Sequence, residues 1–167
     1  MTNFGFTEFL LVVLAIILVV AAVIDVRTFT ISNRLNATVA LLAPLYWWSI
    51  SLPYWPDAAI QIGVAAAVFA MLAVTFYLGM MGGGDVKLAA ALALWFPPGA
   101  TVRFLIVMSL AGGLLTVVVV ILHRLKATPD ALPGVEKKIL KPEVPYGVAI
   151  AIGALWILAQ RFLNQFA

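Results

Sequence analysis

From Phe9 to Ile24 every residue is apolar, and the run stops on an aspartate, Asp25. Wound as a helix, such a run covers most of a bilayer's hydrocarbon thickness of about 30 Å. Five more apolar stretches follow, and together the pattern predicts six helices. The first covers about Thr7 to Ile24, the second Ala37 to Ile50, the third Ala58 to Leu78. The fourth runs from Val86 to Phe96, the fifth from Val102 to Leu122, the sixth from Tyr146 to Phe166. Charged residues make up only 10% of the chain and mean hydropathy is +1.13. That is too little charge to cover a water-soluble domain of this size. The expected fold is therefore all-α, a polytopic membrane helix bundle, with residues 1–167 forming one domain.

The fourth helix is short. Its residues reach only about 16 Å before Pro97-Pro98 stops it. It is expected to begin partway into the membrane behind the glycine cluster Gly82-Gly83-Gly84. Non-helical backbone at that depth is tolerated only where it is buried or lines a wet cavity, so residues 79–85 read as a cavity lining. The basic residues give the orientation. With the N-terminus outside the cytoplasm, one side carries Arg27, Arg34, Lys87, Arg124, Lys126, Lys137, Lys138 and Lys141. The other side carries Arg103 and Arg161 alone. The first group is placed in the cytoplasm. The first eight residues lack Lys and Arg and include Glu8, unlike the basic start of a signal peptide.

That orientation puts Asp25 and Asp85 on the same, cytoplasmic, face. The chain has seven acidic residues in all, so two at the ends of spans call for an explanation. A carboxylate in or beside hydrocarbon is costly and usually marks a functional site. Two carboxyl groups that meet divide their titration, which is the arrangement that activates water in aspartic proteases. Each aspartate also has a plainer reading. Asp85 follows a Gly-rich turn and stands where a helix cap would. Asp25 can be a solvated residue at the membrane interface beside Arg27. Their pairing on one face, in a chain so poor in acids, favours function.

Other residue types exclude chemistry. Without cysteine there is no disulfide, thiol nucleophile or Cys-ligated zinc, and the single histidine, His123, reads as a helix-end residue. Neither a metal nor a cofactor is expected. No basic stripe with interleaved aromatics suggests nucleic acid. The loop from His123 to Pro145 holds Lys137, Lys138 and Lys141, suited to anionic lipid headgroups. Glu136, Glu143 and Asp130 in that loop are read as solvated, or as attracting a basic peptide. The five tryptophans fall mostly near span ends, as interfacial anchors do.

Gly82-Gly83-Gly84-Asp85-Val86-Lys87-Leu88 resembles the GxGD signature of intramembrane aspartic proteases, in the GxGDxKL form of prepilin peptidases. Asp25 to Asn33, an Asp followed by Ile31-Ser32-Asn33, is similar to that family's first-aspartate segment. Pro145-Tyr146-Gly147 is similar to the opening of its last helix. The resemblance implies that Asp25 and Asp85 are the catalytic aspartates, with Gly82, Gly84, Lys87 and Asn33 as supporting motif residues. It implies a prepilin-like protein substrate of the Flp type, whose short basic leader is cut at the cytoplasmic face of the inner (cytoplasmic) membrane. Ser32 stands where many relatives have proline, which implies a looser chain there. Room for the Cys-rich insertion of larger relatives is missing, which argues against N-methyltransferase activity. The compact form is more like the peptidases of Flp/Tad-type pili or of archaeal preflagellins. Two other function classes remain open: a non-catalytic membrane subunit of a pilus or secretion assembly, and a small proton-coupled transporter. Oligomeric state is not readable from these residues.

Overall fold

The structure, a computed structural model, describes residues 4–126 and 144–166. Its six helices are α1 (Phe4–Thr28), α2 (Asn33–Ser49), α3 (Ala59–Tyr77), α4 (Gly83–Ala93), α5 (Pro98–Lys126) and α6 (Tyr146–Phe166). Among the described residues there is no strand. One wide turn, Tyr54–Ala58, leads into α3. The segments Gly5–Thr28, Tyr54–Tyr77, Pro98–Leu125 and Tyr146–Asn164 are each long and apolar enough to cross a membrane. The protein is a polytopic helical bundle. Most of the loop from His123 to Pro145, including Lys137, Lys138 and Lys141, lies outside the described residues.

The short fourth helix sits at the centre. It packs on α2, α3 and α6, and Val86, Leu88, Ala89, Ala91, Leu92 and Ala93 are all buried. A helix apolar on nearly every face belongs inside a bundle, and the alanines let neighbouring backbones come close. The opposite holds for α5. It packs on α6, but Leu110, Leu114, Val117 and Leu125 remain exposed, as side chains meant for lipid should be.

Helices α1 and α2 run antiparallel. Near one end Thr7 of α1 donates to Ser49 of α2 at 3.0 Å. At the other end, α1 finishes on the short connection that leads into α2. The observed structure differs from the sequence-based reading at several helix ends, and three differences bear on what the residues do. The non-helical lining expected over residues 79–85 stops at Gly82, because Gly83, Gly84 and Asp85 already form the first turn of α4. Helix α5 continues to Lys126, beyond the expected end at Leu122, and His123 lies in its last turn. Trp95 is no interfacial anchor: it is 1% exposed, and its indole donates to the Val39 carbonyl at 3.0 Å.

Candidate active site

Asp25 lies in the last turn of α1, and its polar environment depends on how that helix ends. Phe29 takes a left-handed conformation (φ 50°) that ordinary helix geometry does not allow, and its N–H donates to the Asp25 carbonyl at 2.8 Å. The Thr28 and Thr30 hydroxyls bond within the same turn, and Ser32 then caps α2 by accepting from the Leu35 N–H at 3.3 Å. The connection is thus four residues long. It leaves Ile31 buried against both aspartate-bearing regions.

Ser32, at the position where the resemblance leads one to expect proline, has φ −70°. That is the angle a proline ring enforces. Serine thus holds the backbone angle of the ring here, with an N-cap hydrogen bond in addition.

Asp25 is 2% exposed, and the Gly147 N–H donates to its Oδ2 at 2.7 Å. Gly147 is the second residue of α6, so the free N–H groups of a helix's first turn face the carboxylate. No larger residue fits. A Cβ at Gly147 would stand 2.8 Å from Asp25 Oδ2 and 2.8 Å from Ile31 Cδ1.

Asp85 is 8% exposed, in the first turn of α4. Its carboxyl group folds back over Gly82, where a Cβ would lie 2.7 Å from Oδ2. The other oxygen, Oδ1, is buried without a hydrogen-bond partner among the described residues. Helix α4 reaches this position by close approach. A Cβ on Gly84 would lie 2.6 Å from the Ile31 carbonyl oxygen, and the Asn36 amide donates to the Gly84 carbonyl at 2.9 Å. Glycine here serves helix-to-backbone contact inside the protein, instead of the extended peptide-binding strip that a non-helical lining would have offered.

The two carboxyl groups come from helices far apart in sequence, yet both helices are seated on the same short connection between α1 and α2. Ile31 is the shared wedge, touched by Gly84 of α4 on one side and by Gly147 of α6 on the other. Lys87 and Asn33 sit nearby but pair with each other, Nζ to Oδ1 at 2.9 Å. They tie α4 to the start of α2 and bond neither aspartate. Among the described residues no three His, Asp or Glu side chains gather as metal ligands would.

Two parts of this arrangement escape sequence reasoning. Asn36 falls in the polar loop when the second helix is started at Ala37; the helix in fact begins at Asn33, which puts Asn36 in its first turn. The Gly147 N–H leaves no trace in side-chain chemistry, although the Pro145-Tyr146-Gly147 motif marks its place.

No curated protein and no solved structure matches the chain. A family model does, over residues 12–117, a stretch that includes both aspartates and the whole of α2 to α4. With well over half of its length matched, the chain belongs to the type IV leader peptidase family.

Proposed function

We propose that the protein is an intramembrane aspartic endopeptidase that removes the short leader of type IV prepilin-like precursors of the Flp type. In this reading Asp25 and Asp85 are the catalytic pair, acting at the cytoplasmic face of the inner membrane. The observation that carries it is that two buried carboxyl groups, from α1 and α4, are both held beside Ile31, through Gly147 and Gly84, in a chain of the leader peptidase family. One carboxylate takes a proton from a water molecule, whose oxygen attacks the scissile carbonyl carbon. The other carboxyl group, protonated, hydrogen-bonds the carbonyl oxygen as it gains charge. Collapse of the tetrahedral intermediate breaks the C–N bond, and the departing amine takes up a proton from the pair. The two roles belong to the pair as a unit, because coupled groups share their titration.

Oδ1 of Asp85 has no hydrogen-bond partner among the described residues, which supports this use, since such an oxygen can accept from water or, when protonated, donate to a peptide carbonyl. The Gly147 N–H occupies Asp25 Oδ2 and fixes the orientation of that carboxyl group. N-methylation of the product is outside the proposed activity. The test is cleavage of a co-expressed Flp-type prepilin by wild type, Asp25→Asn and Asp85→Asn at equal expression. Conversion by wild type and by neither variant is expected. Processing by either variant at the wild-type rate removes the pair from the mechanism.

A further inference from the structure

Resting on the peptidase reading above, we propose that the apolar helix of the substrate docks in the groove between α3 and α5 and is fed from there to the aspartates. The two helices barely touch along their length, although each packs firmly elsewhere, α3 on α4 and α5 on α6. A cavity of about 390 Å³ opens between them. Thr75 and Met81 line one side, Ser109, Gly112 and Gly113 the other, and Tyr146 closes the end. That volume accepts the side chains along one face of a helix rather than a whole helix, so a visiting helix would lie on the groove and key into it.

The α3 bank of the groove and the end closed by Tyr146 each lead to a carboxyl group. On the α3 side the chain passes from Met81 directly to Gly82, over which the Asp85 carboxyl group lies. On the α6 side Tyr146 precedes Gly147, whose N–H holds Asp25. A chain leaving the groove at this end therefore meets one aspartate on each flank. Two other cavities lie away from the aspartates, one beside Tyr46, Trp95 and Arg161 at the opposite ends of α1 and α6, the other beneath Pro53 and Tyr54 on the α2–α3 connection. A third, of about 490 Å³ beside Asn33, Asn36 and Lys87, is near the aspartate end, but its lining includes neither Met81 nor Tyr146.

The chemistry of α5 fits a helix as the occupant. Small residues allow close backbone approach between membrane helices, and Ser109, Gly112, Gly113 and Thr116 supply such a face. At Gly113 nothing lies within 4 Å of where a Cβ would be, so the space in front of it is open. The substrate class in the proposed function supplies the matching part, an apolar helix that stays in the bilayer while its leader is cut.

The experiment uses the absence of cysteine from the chain. Gly113→Cys, and as a control Gly63→Cys on α3, which also faces open space, are placed in an Asp25→Asn background. Each is co-expressed with a Flp-type prepilin carrying single cysteines along its apolar helix, and thiol cross-linking is followed. Cross-links through position 113, periodic in the substrate, and none through position 63 are expected. In the otherwise wild-type enzyme, Gly113→Leu should lower kcat/KM for the full prepilin by roughly tenfold or more by filling the groove, while Gly63→Leu leaves it unchanged. Cleavage by wild type with no cross-link through position 113, and with Gly113→Leu unimpaired, overturns the groove and spares the peptidase. Cross-linking through position 113 without cleavage by wild type supports the groove and removes the peptidase reading.

Discussion

The two ends of this bundle handle buried polarity differently. Away from the aspartates, most polar side chains satisfy one another and the backbone, with Gln61 Oε1, buried without a partner among the described residues, as an exception. Trp47 donates to the Leu94 carbonyl at 2.8 Å and Trp95 to that of Val39 at 3.0 Å. Thr7 bonds Ser49, while Arg161 bonds the Tyr46 hydroxyl and lies 5.4 Å from the centre of its ring. Tyr46 in turn stacks on Trp95 at 5.1 Å. Every one of these contacts locks helices together. At the aspartate end the packing is as close, but glycines achieve it, and among the described residues Asp85 Oδ1 and Asn36 Oδ1 remain without a partner. Leaving a buried polar atom unpaired is expensive and is retained where chemistry needs it. The comparison teaches that one end of the bundle is built for stability, and the other holds reactive groups at some expense to it.

Substitution can break this division. Gly84→Ala carries the largest expected effect after loss of an aspartate. The new Cβ would stand 2.6 Å from the Ile31 carbonyl oxygen, a backbone atom that cannot rotate away. Helix α4 must move off the connection, which is expected to cost about 1–3 kcal/mol and to displace Asp85. Thermal unfolding in detergent should show a lower midpoint, and prepilin cleavage should fall with it. Unchanged cleavage would mean that α4 need not be seated on Ile31 for catalysis.

Gly82→Ala sharpens the contrast, because its clash is with a side-chain tip. The Cβ would meet Asp85 Oδ2 at 2.7 Å and little else. Rotation of the carboxyl group relieves it, so the unfolding midpoint should stay near wild type while cleavage drops severely. Loss of both together would show that Gly82 is needed for folding instead.

Tyr46→Phe is the mirror experiment at the other end. The ring remains to stack on Trp95 and to face Arg161, and only the hydroxyl contact is lost. A destabilisation of about 0.5–1.5 kcal/mol is expected, with kcat/KM for prepilin unchanged. Reduced cleavage at full stability would show that the two ends are coupled through α1, α4 and α6.

Which features are legible in the sequence follows from the physics that fixes each. Six helices can be read from apolar runs because lipid demands satisfied backbone over whole spans. Their ends cannot, because α1 and α5 continue through Arg27 and Lys126, residues that hydropathy assigns to loops. The aspartates stand out because charge is scarce. What surrounds them does not, since the Gly147 N–H and the Ile31 carbonyl belong to the backbone and have no residue signature. Trp95 misleads for a related reason. A tryptophan near a span end is ordinarily interfacial, yet α4 is too short to reach an interface, and its Trp is drawn into the core by Tyr46 and the Val39 carbonyl.

The smallest expected effect concerns Ser32, at the start of α2 between the two aspartate-bearing regions. Its hydroxyl accepts from the Leu35 N–H, and removing such a cap by Ser32→Ala should cost about 1 kcal/mol. Ser32→Pro removes the same bond but restores rigidity, since the observed φ of −70° is already the proline value. Restricting the unfolded chain in this way contributes roughly 0.4–1 kcal/mol, nearly offsetting the lost cap. The unfolding midpoint should therefore fall for Ser32→Ala and return most of the way for Ser32→Pro, with cleavage maintained in the proline variant. If proline proves worse than alanine, the Ile31-Ser32 backbone is not held as the aspartate end requires. The close seat of Gly84 on Ile31 must then tolerate movement that the packing around it does not suggest.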